Sequence, residues 1–289
     1  MVPKNETEYD GDYFGDLPAA GYRSVVDAMA TGLDVRTGVE AAEIVLSADG
    51  VAVHGAGGGV EEGSHVVVAV PLGALKRGAP RFSPRLPADR VEAIERLGFG
   101  HFEKVAVRFE EPFWRGAGLP HVMLFPRDPG EAADWAIGQD AFGAGPTLVF
   151  LVFASVASHV LDATPDEAAK WLLEMVAESV GAPCPTPTAI SVSEWANDPY
   201  SGGAYTHIPP GAAPADVDLL GEPIDGRLLF AGEHTQSARM AYADGAMTSG
   251  IREAKRLLRQ RQVHLGLIPA APDRDSNRLA VEHRRGASE

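Results

Sequence analysis

The sequence predicts a mixed α/β or α+β architecture, because segments with strand periodicity are interspersed with segments of helical periodicity. Alternating or wholly apolar runs bounded by Gly, Pro or Asp predict strands over 39–46, 51–54, 65–70, 104–109, 121–125, 147–153, 189–195 and 227–230. Apolar residues at three- and four-residue spacing predict helices over 22–30, 88–97, 165–180 and 244–261. The polar residues 1–20 predict an irregular start.

The first predicted elements rest on simple patterns. The helix over 22–30 is predicted by an apolar stripe, which consists of Tyr22, Val25, Val26 and Met29. Asp49 and Gly50 separate the first two strand segments and predict a hairpin turn. The run 66–70 is apolar at every position, which predicts a strand buried on both faces.

Two helix starts carry capping signals. Thr164 followed by Pro165 predicts an N-cap and a first helical residue, and the acids at 166 and 167 suit the positive end of the helix dipole. Asp244 is the N-cap candidate for the last helix.

Composition and charge exclude several functions. The chain has 289 residues, 45% of them hydrophobic and 22% charged, which is ordinary for a globular protein. A net charge of -15 disfavours nucleic acid and anionic membrane surfaces and weakly favours cationic substrates such as amines. Cys184 is the single cysteine, which excludes an internal disulfide and a cysteine metal cluster. The polar N-terminus and the short longest apolar run, 148–154, predict a soluble, cytoplasmic protein.

The glycine-rich segment 55–60 approximates a dinucleotide-binding turn, but Val60 stands at its last position. The segment also lies between two predicted strands, whereas a pyrophosphate-binding turn needs a following helix. A hairpin loop is therefore the better interpretation.

A second segment fits a flat ligand better. The strand 227–230 leads into Gly232 and Glu233, and a helix is predicted to begin near Gly245 and Ala246. Small residues at a helix start let a ligand approach the backbone, and the helix dipole favours a ligand that becomes anionic, such as a reduced flavin. From spacing alone, ordinary packing of a strand, a loop and a helix also fits this pattern.

This segment resembles the C-terminal FAD-binding signature of the flavin amine oxidases, the family of monoamine oxidases, polyamine oxidases and lysine-specific histone demethylases. Further stretches agree in family order: 17–22, 66–75, 82–87, 97–105, 111–114 and 194–206. The resemblance implies the C-terminal part of an FAD/NAD(P)-binding amine oxidase fold with an interleaved substrate-binding domain. The implied organisation is an FAD-binding remnant, a substrate-binding domain, the last FAD-binding segment and a disordered tail, over 1–78, 79–196, 197–262 and 263–289.

The resemblance implies three catalytic residues. Lys104 would hold a water against the flavin N5 atom, and Tyr205 and Tyr242 would sandwich the substrate amine. The residues alone leave other interpretations open: Lys104 also fits a solvent-facing lysine on an edge strand, and the tyrosines also fit a core.

Six residues are implied to contact FAD: Trp195, Glu233, Gly245, Ala246, Met247 and, through its backbone, Ala41. An ordinary core position remains an alternative for Trp195. Ala204 stands where monoamine oxidases carry the cysteine that bonds FAD, and Cys184 is far from the motif, so the resemblance implies non-covalent FAD.

The implied activity is oxidation of an amine to an imine and then an aldehyde or ketone, with O2 reduced to hydrogen peroxide. No Gly-x-Gly-x-x-Gly unit precedes residue 20, so we expect a truncated chain or one half of a two-chain enzyme whose partner supplies that unit. The alternative is an inactive remnant or binding module. The acidic charge disfavours a chromatin role, and the amine stays open, including an amino acid held by Arg239.

Overall fold

The computed structural model describes residues 20–118, 122–125 and 134–269. Its α-helices are α1 (Tyr22–Ala30), α2 (Leu72–Lys76), α3 (Ala88–Arg96), α4 (Phe113–Gly116), α5 (Ala154–Asp162), α6 (Pro165–Val180), α7 (Pro214–Leu220) and α8 (Ala243–His264). Its strands are β1 (Ala41–Leu46), β2 (Val51–Gly55), β3 (Val60–Gly63), β4 (Val66–Val68), β5 (Arg81–Ser83), β6 (Gly98–Phe99), β7 (Phe102–Arg108), β8 (Val122–Phe125), β9 (Asp134–Gly138), β10 (Thr147–Phe153), β11 (Ala189–Val192), β12 (Thr206–His207) and β13 (Leu228–Phe230). The mixed fold class is confirmed.

A five-stranded antiparallel sheet forms the larger core. Its strand order is β11-β7-β10-β9-β8, and helices α5 and α6 pack against it. Alternate residues of β10 are buried, namely Leu148, Phe150 and Val152, because successive side chains of a strand point to opposite faces. On β7 the buried residues are Glu103, Val105 and Val107. Lys104 therefore lies on the opposite face of the strand, away from this core.

A second core lies among shorter elements. A four-stranded sheet has the order β3-β2-β1-β5, and β13 pairs with β4 in parallel. Helices α2, α3 and α7 contribute Leu72, Ile94 and Leu220, which pack with Phe230 of β13. This core holds the strand that leads into Gly232.

Three local predictions are confirmed. Strands β1 and β2 form the hairpin at Asp49 and Gly50, and the glycine-rich segment 55–60 is the loop of the next hairpin, between β2 and β3. At the start of α6, the Thr164 side chain accepts from the Glu167 N–H at 3.3 Å, and a Glu167 carboxylate oxygen accepts from the Thr164 N–H at 2.9 Å. This reciprocal capping box satisfies two backbone donors that the helix leaves open.

Several predictions are wrong. Strand β4 is not buried on both faces, since Val67 is 40% exposed. Asp244 is not the N-cap of α8, because the helix begins at Ala243 and Tyr242 holds the cap position. The alternative interpretation that Lys104 lies on an edge strand is also excluded, since β7 is flanked by β11 and β10.

Other predictions have different outcomes. Helix α1 forms as predicted. Each of its four apolar stripe residues is exposed, so the stripe predicts the helix correctly but does not pack against a core of the described residues. Residues 1–19 and 270–289, which hold the predicted irregular start and most of the predicted tail, lie outside the described residues. None of the described helices has the length and apolarity needed to cross a membrane.

Candidate functional site

A cavity of about 280 Å³ lies between the larger sheet and the loops that follow it. It is lined by Pro71, Phe99, Phe102, Lys104, Trp195, Ser201, Gly203, Ala204 and Tyr205. The structure thus brings together three of the predicted site residues, Lys104, Trp195 and Tyr205. Ala204, the residue from which we expect no covalent bond to FAD, lines the same cavity. Such concave sites with few polar groups among apolar walls are typical of ligand pockets.

Close backbone packing forms one wall of this cavity. Gly203 has φ +147° and faces the Phe99 ring, so a Cβ atom at Gly203 would collide with that ring. Gly73 approaches both Phe99 and the carbonyl of Ser201 in the same way. Ala204 donates its N–H to the Gly100 carbonyl at 2.9 Å. The loop 201–205 is therefore held close against strand β6.

Lys104 extends from an interior strand toward the cavity. Its amine lies 4.7 Å from the centre of the Phe102 ring. Partial burial lowers the pKa of Lys104, and the nearby negative charge of Glu103 opposes this shift only in part. The neutral amine is therefore more accessible than in a free lysine, which suits a group that hydrogen-bonds to a water or a substrate.

Glu103 is a site residue that the sequence analysis missed. Its carboxylate is fully buried and accepts hydrogen bonds from Ser193 Oγ at 2.5 Å, from the Trp195 N–H at 3.1 Å and from the Ala196 N–H at 3.0 Å. A signal was present: Glu103 shares one face of β7 with the buried Val105. An acid on an inward-facing position needs donors to satisfy it.

Trp195 and Tyr205 differ in exposure. Trp195 is 49% exposed, so the alternative of an ordinary core tryptophan is excluded. Tyr205 is half-buried and meets the Phe102 ring edge-on at a centroid distance of 5.7 Å. Burial raises the pKa of Tyr205, and the negative charge of a nearby Tyr242 phenolate raises it further. The side chains of Tyr205 and Tyr242 therefore interact electrostatically.

Tyr242 is 45% exposed at the cap position of α8. The guanidinium of Arg239 lies 4.4 Å from the centre of the Tyr242 ring, within the range of a cation–π contact. Arg239 also forms an ion pair with Asp244 at 2.8 Å. Arg239 is thus engaged by Tyr242 and Asp244, which weakens the idea that it holds a substrate carboxylate.

Glu233 is bonded within the protein. One carboxylate oxygen accepts from Thr206 Oγ1 at 2.6 Å and from the Thr206 N–H at 3.3 Å, and the other accepts from the Ala241 N–H at 2.7 Å. These hydrogen bonds join Glu233 to other residues of the protein. The expected contact between Glu233 and FAD stays a prediction.

The remaining predicted cofactor residues occupy different surroundings. Gly245 is buried, and a Cβ atom there would collide with the Arg239 carbonyl, so the glycine has a packing reason within this chain. Ala246 is half-buried in the same turn, and Met247 is 46% exposed. Ala41 lies at the irregular start of β1, opposite Gly55, and does not line the cavity. The roles of these residues toward FAD stay predictions.

The site suits the ring end of a flavin better than its phosphates. An exposed indole, an apolar wall and a lysine with a lowered pKa surround an open cavity. Across residues 20–118, 122–125 and 134–269, no strand is followed by a glycine-rich turn and a helix of the kind that grips a pyrophosphate. The same residues contain no cluster of His, Cys, Asp or Glu that could hold a metal ion.

The fold and the cavity can be compared with those of known proteins. A family model described as flavin containing amine oxidoreductase matches residues 5–258. The chain belongs to this family, which implies a flavin cofactor.

Relatives and a solved structure agree with this assignment. The protein named Lysine-specific histone demethylase 1 homolog 3 of Oryza sativa subsp. indica is 36% identical over 212 residues, which cover 71% of this chain. Protein FLOWERING LOCUS D of Arabidopsis thaliana is 32% identical over 274 residues, which cover 92% of this chain. A putrescine oxidase variant from a redesign of cofactor binding superimposes with a TM-score of 0.70 at 23% identity, covering 83% of this chain. This last likeness shows the fold.

The chain spans only part of each of these proteins. It covers 26% of the rice protein, 34% of FLOWERING LOCUS D and 53% of the putrescine oxidase chain. The activities and substrates of those whole proteins therefore bear on this chain only as proposals.

Proposed function

We propose that this chain forms the substrate-facing and flavin-ring-facing part of an amine oxidase with non-covalently bound FAD. When bound, FAD supplies the redox chemistry, which is acceptance of a hydride from the carbon next to the amine nitrogen and transfer of two electrons and protons to O2, giving an imine and hydrogen peroxide. Hydrolysis of the imine then releases an aldehyde or ketone. The observation that carries the proposal is the shared cavity of Lys104, Trp195 and Tyr205.

The protein's part in this reaction is alignment. Tyr205 and Tyr242 present aromatic faces to the amine, which hold it by cation–π attraction when it is charged and orient its lone pair when it is neutral. Lys104, whose pKa is lowered, holds a water at the cavity wall. Trp195 gives the flavin ring an exposed aromatic neighbour.

Ala204, which lines the cavity and has no thiol, supports non-covalent binding. The pyrophosphate of FAD requires a glycine-rich strand–turn–helix unit, and in our proposal a further stretch of polypeptide or a separate chain supplies it. The substrate is an amine. The names of the relatives suggest a methylated lysine side chain, and the name of the solved oxidase suggests a small polyamine, so both belong in the test.

The test uses the chain joined at its N-terminus to the dinucleotide-binding unit of a family member and loaded with FAD. Anaerobic mixing with monoamines, polyamines, amino acids and a methyl-lysine peptide should bleach the flavin with at least one of them, and air should then produce hydrogen peroxide. Trichloroacetic acid should release the flavin into the supernatant. Flavin that no amine bleaches would reject the proposal, and flavin in the pellet would reject non-covalent binding.

A catalytically inactive binding module is the second candidate. One observation favours it: the described residues contain no pyrophosphate-binding unit. In that case the joined protein would keep its fold and bind an amine or peptide without flavin reduction. Equilibrium binding measured beside the bleaching assay separates the two candidates.

A further inference from the structure

We propose that Glu233 is a positioning residue that sets the spacing between Tyr205 and Tyr242. Its carboxylate joins the residue after Tyr205 to the residue before Tyr242, two loops that are distant in sequence. The inference rests on the proposed function only in treating the two tyrosines as walls of the substrate site.

The first link fixes Tyr205. Thr206, the next residue, is 1% exposed and donates both its hydroxyl and its N–H to the same oxygen of Glu233. Thr206 also begins strand β12, which pairs with Phe99 in the cavity wall. A hydroxyl-to-carboxylate hydrogen bond of 2.6 Å is short and charge-assisted, so it is among the stronger contacts available to this loop.

The second link fixes Tyr242. Ala241, the preceding residue, has φ 70°, in the left-handed region that residues with a side chain rarely adopt. Such a conformation persists only where surrounding contacts enforce it. The 2.7 Å hydrogen bond from the Ala241 N–H to Glu233 is one such contact, and it determines the direction in which the chain enters Tyr242.

A carboxylate suits this task better than an amide. Glu233 faces three donors, and an ionised carboxylate accepts through both oxygens. In Glu233→Gln the amide oxygen can still accept from the Ala241 N–H, but an NH2 group facing Thr206 can donate only to its hydroxyl and leaves the Thr206 N–H without its acceptor, so the link to Thr206 is weakened. The residue is also well anchored, because it follows Gly232 and the fully buried strand β13.

The pKa of Tyr205 depends on its distance from Tyr242 and therefore measures the spacing between the two rings. The pKa of Tyr205 is raised first by burial and then by the charge of the Tyr242 phenolate, so it falls when the loops separate. We would label the tyrosines of the 289-residue chain with ¹³C at Cζ and follow each ring by NMR from pH 8 to 12, without flavin or turnover. Tyr205→Phe and Tyr242→Phe assign the two signals.

Glu233→Gln should lower the pKa of Tyr205 toward the ordinary value of about 10. The isosteric variant Thr206→Val, which removes only the hydroxyl link, should give a smaller decrease in the same direction. Asp218→Asn is the matched control, because Asp218 also accepts from a backbone N–H and a hydroxyl, both of Ser237, at 3.0 Å each. This control should leave the Tyr205 titration unchanged.

An unchanged Tyr205 pKa in a folded Glu233→Gln protein would overturn the proposal, as would an equal decrease in Asp218→Asn. If Glu233→Gln does not fold, Thr206→Val decides, and no decrease in that variant would overturn the proposal. In the FAD-loaded joined protein, Glu233→Gln should raise the amine KM about tenfold with a smaller change in kcat. Since the titration needs no turnover, a failure of amine oxidation and a failure of this positioning role are distinguishable.

Discussion

The buried carboxylate of Glu103 accepts a hydrogen bond from the backbone N–H of Trp195 at 3.1 Å, across 92 residues of sequence. The same carboxylate holds Ser193 and Ala196, so one side chain of strand β7 fixes the whole turn that carries the indole. The other face of β7 carries Lys104. A single strand therefore positions two of the cavity's polar and aromatic groups.

Glu103→Gln should destabilise the protein by about 1–3 kcal/mol, because at least one buried donor would lose its acceptor. The indole of Trp195 should become more mobile, which shifts its fluorescence emission to the red. Urea unfolding and emission spectra measure both effects, with Trp195→Phe to identify the signal. Glu110→Gln, at an exposed position, is the control. Equal stability of the two variants would show that the Glu103 network contributes nothing.

Lys104→Met should slow flavin reduction or reoxidation in the FAD-loaded joined protein by about 100-fold or more, the range of a group that assists proton transfer. Stopped-flow absorbance would measure both half-reactions. Lys170→Met, on the exposed side of α6, removes the same charge far from the cavity and should leave the rates unchanged. Rates equal to those of the unsubstituted protein in Lys104→Met would remove Lys104 from the site.

Tyr242→Ala should reduce amine recognition by about 1–2 kcal/mol, because it removes one aromatic wall. The effect should be seen in kcat/KM for the best amine of the panel. Tyr22→Ala is the control, since Tyr22 is 68% exposed on α1. A specificity constant that Tyr242→Ala leaves unaltered for each accepted amine would reject the aromatic cage.

His234 should make the fold sensitive to acid. It is 2% exposed, and no partner of its Nε2 is found among the described residues. Burial, with a smaller effect of Arg252, lowers the pKa of His234 from 6.5 to about 4. As the pH falls, this histidine is protonated at a higher pH in the unfolded state than in the folded state. The free energy of unfolding therefore decreases as the pH falls from 6.5 to 4.

From pH 7 to pH 5 this histidine should lower the free energy of unfolding by about 2 kcal/mol. Urea unfolding at the two pH values would measure the decrease, which should be smaller by that amount in His234→Gln. His264→Gln, at the exposed end of α8, should keep the full decrease. An identical pH dependence in His234→Gln would show that this histidine does not titrate as described.

Local chemistry made part of the fold predictable. The capping box of Thr164 and Glu167 joins residues three apart, and the hairpin at Asp49 and Gly50 joins adjacent strands, so sequence proximity already selects the partners. Lys104, Trp195 and Tyr205 could be selected through the family resemblance, and the structure places them around one cavity.

The apolar stripe on α1 shows that a local sequence pattern does not predict burial. Its spacing predicts the helix correctly, yet Tyr22 and Val26 are more than 60% exposed. Periodicity reports which residues share a face, whereas burial depends on what packs against that face. The Arg239 guanidinium gives a second example, since its contact with Tyr242 depends on the conformation of the turn between them.

The sequence by itself determined the mixed fold class, the helices and hairpins with local signals, and the family. Only the tertiary structure decided which groups hold the site together. Glu103 reaches the Trp195 turn because β11 pairs with β7, and Glu233 reaches two loops because β13 delivers it between them. A carboxylate in a sequence does not identify its donors; they are set by strand pairing and loop closure over long sequence separations, which no local pattern encodes.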